Sequence, residues 1–147
     1  AGPQRMDAVA KAKVPAVIAP GCLDMVNFGE RDSVPEKFAG RQFYIHNPQV
    51  TLMRTTPDEC AELGKIIAEK VNRYEAPEVI MIPKKGLSVI SFVGQPFYNP
   101  AADKALFQAI HAHAKVPVQD LDEEINSPAF AKACAETLLE LMKASKV

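Results

Sequence analysis

Apolar residues recur at spacings of three and four in three stretches of the chain. Leu63, Ile66, Ile67, Val71 and Tyr74 form one stripe. Ala102, Leu106, Ala109, Ile110 and His113 form a second, and Phe130, Cys134, Leu138, Leu141 and Met142 a third. Such spacing gives each of three helices one buried face. Each stripe follows a proline at the first helical position, where the missing N–H costs nothing and the fixed φ suits the helix. The pairs are Thr56-Pro57, Asn99-Pro100 and Ser127-Pro128, and they predict helices over 58–74, 101–114 and 129–144. Gly2-Pro3 repeats the pattern and predicts a helix over 4–13. Thr56, Asn99 and Ser127 can each cap a helix through a side-chain oxygen, and Thr56-Pro57-Asp58-Glu59 reads as a capping box.

Short apolar runs lie between the helices: 16–19, 43–45, 50–53, 79–82 and 116–118. Several are continuous rather than alternating, as in strands covered on both faces. Strands alternating with helices predict an α/β fold. The expected form is a Rossmann-like three-layer sandwich with a mostly parallel sheet of about four or five strands. His46-Asn47-Pro48 breaks the stretch 42–54 into two extended pieces. Two long loops, 21–41 and 84–98, have no periodicity, and long loops inside compact domains carry function or cover a sheet.

Composition narrows the class. The 147 residues are 48% hydrophobic and 24% charged, ordinary for a globular domain with its own core, and the whole span 1–147 reads as one α/β domain. A formal charge of -1 argues against a broad nucleic-acid surface. No apolar run approaches the ~18 residues that cross a bilayer, and no stretch reads as a signal peptide. Cys22, Cys60 and Cys134 are odd in number and far apart, unlike a disulfide framework or a zinc site. Reduced thiols predict a cytoplasmic protein. The opening Ala1-Gly2-Pro3-Gln4 has no initiator methionine and runs straight into a helical pattern, which predicts a piece of a longer chain.

Ligands of open parallel sheets bind at the carboxyl ends of the strands, and three turns qualify there. In Pro20-Gly21-Cys22-Leu23-Asp24-Met25-Val26-Asn27, Gly21 permits a sharp turn, and Asp24 and Asn27 can hold a ribose, a metal or a polar substrate. Cys22 is a nucleophile only if a base lowers its pKa, and otherwise a small hydrophobe. In Met53-Arg54-Thr55-Thr56-Pro57 a strand meets a helix N-terminus, where free N–H groups and Arg54 suit a phosphate. The alternative is that Thr56 only caps and Arg54 pairs with a carboxylate. In Ile82-Pro83-Lys84-Lys85-Gly86-Leu87-Ser88, two lysines, a glycine and a hydroxyl can cradle a phosphate, although the Walker A pattern is absent. The alternative is a polar loop with solvated lysines. His46 can act as an acid–base group or ligand contact, or bond to backbone. His111 and His113 are two apart on a helix and cannot form a metal pair. Asp120-Leu121-Asp122-Glu123-Glu124 reads as a solvated loop, and Gln95-Pro96-Phe97-Tyr98 as a turn whose aromatics pack or cover a ligand.

Four strings carry a resemblance. They are the 2–8 stretch Gly-Pro-Gln-Arg-Met-Asp-Ala, the 19–29 stretch from Ala19-Pro20-Gly21 to Phe28-Gly29, the 46–56 stretch from His46-Asn47-Pro48 to Thr55-Thr56, and Gly94-Gln95-Pro96-Phe97-Tyr98. In order and over essentially the whole chain, they resemble the bacterial and plant family that includes the tomato mosaic virus resistance protein and is described as having an ATP-binding domain. The resemblance implies two Rossmann-like subdomains, of which this chain is the second, and ATP, with Mg2+ accompanying it, near the subdomain junction. It therefore implies the N-terminal subdomain of the parent as a partner. The candidate contacts remain those reached above: Gly21, Asp24, Asn27, His46, Arg54, Thr55, Thr56, Gly86 and Ser88. Lys84 and Lys85 depart from the acidic or glycine-rich loop of relatives, while Gly86 and Ser88 match.

Three readings follow. The first is a nucleotide-binding domain with Arg54, Thr55 and Thr56 at phosphate. The second is an enzyme acting on a small phosphorylated or carboxylated metabolite, with His46 or Asp24 as acid–base groups. The third is a protein-interaction or regulatory module, which would show a large apolar patch. Self-association is open on sequence grounds.

Overall fold

The computed structural model describes residues 2–145; Ala1, Lys146 and Val147 of the expected single domain lie outside the described residues. Six strands and four α-helices follow one another as α1 (Asp7–Ala12), β1 (Ala16–Ile18), β2 (Met25–Phe28), β3 (Phe43–Asn47), β4 (Val50–Arg54), α2 (Pro57–Val71), β5 (Glu78–Pro83), α3 (Pro100–His113), β6 (Val118–Leu121) and α4 (Pro128–Ala144). The strands divide into two sheets. One is parallel, in the order β1-β5-β6, and the other is antiparallel, in the order β2-β4-β3.

The parallel sheet has three strands, not the four or five expected. The expected extra strands pair among themselves because 43–54 forms a hairpin and β2 adds to its far side. The α/β class stands, with helices on both faces of the parallel sheet. Strand β5 explains why: its side chains alternate between two cores. Ile80 and Ile82 pack with Cys60, Ile67 and Val71 of α2 and with Ala102, Leu106 and Ile110 of α3. Val79 and Met81 pack with Phe130 of α4. A strand buried on both faces needs an unbroken apolar run, and Val79-Ile80-Met81-Ile82 supplies it.

The caps at Thr56, Asn99 and Ser127 each accept a backbone N–H, from Glu59, Ala102 and Phe130 respectively. The first helix is shorter than 4–13. Met6 sits at φ 75, and residues before it are tied elsewhere: Lys70 Nζ donates to Pro3 O at 2.6 Å and Tyr74 Oη to Met6 O at 3.0 Å. The buried faces are rotated slightly from the predicted stripes. Ile66 is exposed while Gly64 and Ala68 are buried, His113 is exposed, and α4 fully buries only Phe130.

Candidate functional site

The chains leaving β1, β5 and β6 run together at the carboxyl edge of the parallel sheet. After β5 and β6 the ladder continues as Lys84 N to Leu121 O, Lys85 N to Glu123 O and Ile125 N to Gly86 O, each 2.9–3.0 Å. The turn after β1 is stitched to both neighbours. Cys22 N donates to Leu87 O at 2.8 Å, and Gly21 packs so closely that a Cβ on it would lie 2.6 Å from Ile125 Cδ1 and push that side chain aside.

A cavity of about 430 Å3 opens between these turns and the antiparallel sheet. Its polar lining is Cys22, Asn27, His46, Ser88 and Asn126, and its apolar walls include Met25, Leu52, Leu87, Ile90 and Ile125. His46 reaches it from an irregularity in the β3–β4 register between Ile45 and Asn47; bulges of this kind re-aim side chains beside functional sites. Asn47 Oδ1 accepts from Gln49 N at 2.9 Å and closes the hairpin turn. Asn27 comes from β2, a strand hidden inside the predicted loop 21–41.

Behind Ser88 lies a buried polar cluster. Ser88 Oγ donates to Asp24 Oδ2 at 2.7 Å, and Ser88 N and Leu87 N both donate to Ser91 Oγ. Asp24 is fully buried, and its Oδ1 has no hydrogen-bond partner among the described residues. Burial pushes its carboxyl above the ordinary range, outweighing the Ser88 hydrogen bond and the Arg54 charge. A raised folded-state pKa means that the native state holds the proton more tightly, so stability falls as pH rises through the window between about 3.9 and the folded value. Asp24→Asn keeps an oxygen for Ser88 and removes this dependence. The stability difference, variant minus wild type, is therefore expected to grow from about pH 4 upward in urea titrations; a difference independent of pH contradicts it.

Arg54 is 3% exposed, and every N–H of its guanidinium is used inside the fold. Nε donates to Phe97 O at 2.8 Å, Nη1 to Asp24 O at 3.2 Å and Thr55 Oγ1 at 3.0 Å, and Nη2 to Asn99 O at 3.4 Å and Asp103 Oδ1 at 2.5 Å. Thr55 Oγ1 donates in turn to Leu23 O at 2.8 Å. At the start of α2, the Glu59 carboxylate accepts from Thr56 N at 2.8 Å and is gripped by Arg41 at 3.0 and 2.6 Å. The Arg41 hydrogen bond holds the Glu59 carboxyl below its usual range. The chain's own carboxylate thus occupies the helix start where a phosphate was expected. Arg54, Thr55 and Thr56 join three segments of the fold and line no part of the cavity.

The remaining expected residues separate. Asn27, His46 and Ser88 meet at the cavity and Asp24 backs it through Ser88, while Gly21 lines a third concavity beside α1 and α2. Gly86 is a backbone bridge to Glu124. Cys22 is exposed and holds φ 56, but burial and the Asp24 charge push its thiol up, which disfavours a thiolate nucleophile. Lys84 and Lys85 leave the cavity and line a second one, of about 420 Å3, with Lys104 and His111 of α3. Sequence reasoning missed Asp103, Ser91 and Lys104. Asp103 had a visible signal, since 103, 106 and 110 share one helix face and an acid in phase with Leu106 and Ile110 must find a buried cation. Among the described residues no group of three or more His, Cys, Asp and Glu side chains could hold a metal, and no helix is long and apolar enough to cross a membrane.

The arrangement is that of an α/β domain with a concave, largely apolar site where three strand-end turns meet. Residues 1–142 match the family described as "Uncharacterised protein family (UPF0261) C-terminal domain", and the chain belongs to that family. A UPF0261 protein of Clostridium tetani is 44% identical over 146 residues, 97% of this chain and 36% of the relative. One of Rhizobium meliloti is 44% identical over 133 residues, 88% of this chain and 33% of the relative. The ToMV resistance protein Tm-1(GCR237) of Solanum lycopersicum is 36% identical over 146 residues, 97% of this chain and 19% of the plant protein. The chain thus spans about a third of the length of these bacterial relatives and a fifth of the plant one.

Proposed function

We propose that this chain is the nucleotide-binding portion of a longer cytoplasmic protein and takes the nucleoside part of ATP in the cavity lined by Asn27, His46 and Ser88. The observation that carries this reading is the cavity itself. It lies at the carboxyl edge of a parallel sheet, its volume of about 430 Å3 suits a base and ribose, and apolar walls surround a few amide, imidazole and hydroxyl groups. That lining matches a flat base held between apolar walls, with Asn27 and Asn126 available for its polar edge and Ser88 or His46 for the ribose. Among the described residues no lysine or arginine lines this cavity, so the triphosphate and its Mg2+ extend past the rim. In this reading the three layers act as a Rossmann-like subdomain, and the rest of the parent protein closes the open side. The resemblance in the sequence to an ATP-binding family supports the choice of nucleotide.

Thermal unfolding with Mg-ATP, adenosine, phosphate and buffer alone tests the reading. Millimolar ATP and adenosine are both expected to raise the midpoint, with about 2.7 kcal/mol of stabilisation at a hundredfold excess over Kd. Asn27→Ala with His46→Ala, both at exposed positions, is expected to abolish the adenosine shift and leave the unliganded midpoint in place. An undiminished shift in that variant, or no shift in either this chain or its full-length parent, refutes the proposal.

A further inference from the structure

The loop after β5 separates two cavities of opposite character. Leu87 to Ile90 line the nucleoside cavity, which among the described residues has no lysine or arginine, while Lys84 and Lys85 line the other, together with Lys104. The lysines come from two places, the turn after β5 and the second turn of α3. Their placement is fixed. The backbone of Lys84 and Lys85 is pinned to β6 through Leu121 O and Glu123 O at 2.9 and 3.0 Å, and α3 is anchored by Asp103 on Arg54 and by His111 Nε2 on Asp120 Oδ1 at 2.8 Å.

The charge balance of this cavity is positive. Three lysines line it against two carboxylates, Asp103, which is paired with Arg54, and Asp120, which is hydrogen-bonded to His111 Nε2. Lys85 pairs with Asp122 at 3.0 Å, with both side chains more than half exposed, which leaves that pair weak. Lys84 and Lys104 enter no ion pair among the described residues. Three ammonium groups around one concavity repel one another unless an anion joins them, and a concavity with apolar walls such as Tyr98 and Phe107 strengthens the field at its centre.

We infer that Lys84, Lys85 and Lys104 form an oxyanion site for a phosphate or polyphosphate group, distinct from the nucleoside cavity. Ammonium point charges on flexible stems suit a multiply charged phosphate of variable orientation better than a planar carboxylate, which is the usual partner of arginine. The site does not depend on the nucleotide reading, because its ligand needs no base.

Calorimetric titration with inorganic pyrophosphate at low ionic strength tests it. The wild-type chain is expected to bind, and Lys84→Ala with Lys104→Ala to weaken binding at least tenfold. Lys13→Ala with Lys132→Ala, which removes the same charge from remote surface positions, is expected to leave affinity within twofold. Asn27→Ala with His46→Ala should leave pyrophosphate binding unchanged, and adenosine should bind unaffected by the lysine changes, so the two sites fail or succeed separately. Absence of binding, an equal loss in the control lysine variant, or citrate binding as tightly as pyrophosphate overturns the inference.

Discussion

Replacing Arg54 by alanine is expected to remove about 3–5 kcal/mol of stability, the usual cost of breaking a buried ion pair by deleting one partner. The total stability of a domain of this kind is about 5–15 kcal/mol, so the variant should be marginally folded or unfolded. The reason lies in what the guanidinium touches. It holds Asp103 on α3, the carbonyls of Phe97 and Asn99 at the end of the long loop, and the carbonyl of Asp24 after β1. Without it, the Asp103 carboxylate and these carbonyls are left buried without that partner. Lysine cannot substitute, because one ammonium with three donors cannot reproduce a planar fork with five. Replacing both Arg54 and Asp103 with apolar residues of similar size should recover much of the loss, since no unpaired charge then remains. Urea unfolding of the single and double variants decides the matter; a loss below about 1 kcal/mol for Arg54→Ala shows that the network contributes little.

Gly64→Ala is expected to destabilise the fold by about 1–3 kcal/mol, although helix propensity alone predicts a gain of about 1 kcal/mol. Gly64 lies where α2 crosses α3. A Cβ there would stand 2.5 Å from Leu106 O, 2.9 Å from Ala109 Cβ and 3.3 Å from Ile110 N. Two of these atoms are backbone, so the helices must separate to admit a methyl group, and the contacts of Leu106 and Ile110 with the β5 side chains loosen with them. Chemical denaturation reads the sign directly. A stabilised Gly64→Ala would mean that α2 and α3 separate at little cost.

The parts of the fold that were legible are those set by local chemistry. Thr56-Pro57, Asn99-Pro100 and Ser127-Pro128 start helices because cap and proline act within one turn. Gly2-Pro3 carries the same proline signal, but α1 begins only at Asp7, because Lys70 and Tyr74 bind the carbonyls of Pro3 and Met6 and hold the first residues outside the helix. β2 was invisible because its pairing with β4 joins segments far apart in sequence, and its four residues carry no lasting alternation. The split into two sheets was invisible for the same reason.

The site shows the same division. The turns after β1 and β5 were recognisable as strand ends, and Asn27, His46 and Ser88 do meet. What the sequence could not supply was the direction of each side chain. The Ser88–Asp24 bond spans 64 positions. Arg54 left two readings open, a phosphate contact or a partner for a surface carboxylate; it pairs with a carboxylate, but with Asp103, 49 positions later, which draws it inward. The single basic cradle expected at 84–88 becomes two walls facing different cavities, because the chain turns at Gly86 between Lys85 and Leu87.

The most direct test of the proposal that a nucleoside enters the Asn27–His46–Ser88 cavity is a backbone amide map of the isotopically labelled chain titrated with Mg-ATP, repeated with adenosine. The largest perturbations are expected at Asn27, His46, Ser88 and Val89 with both ligands, and additional ones at Lys84, Lys85 and Lys104 with ATP alone. Perturbations that leave the first group unmoved while the chain binds ATP contradict the account.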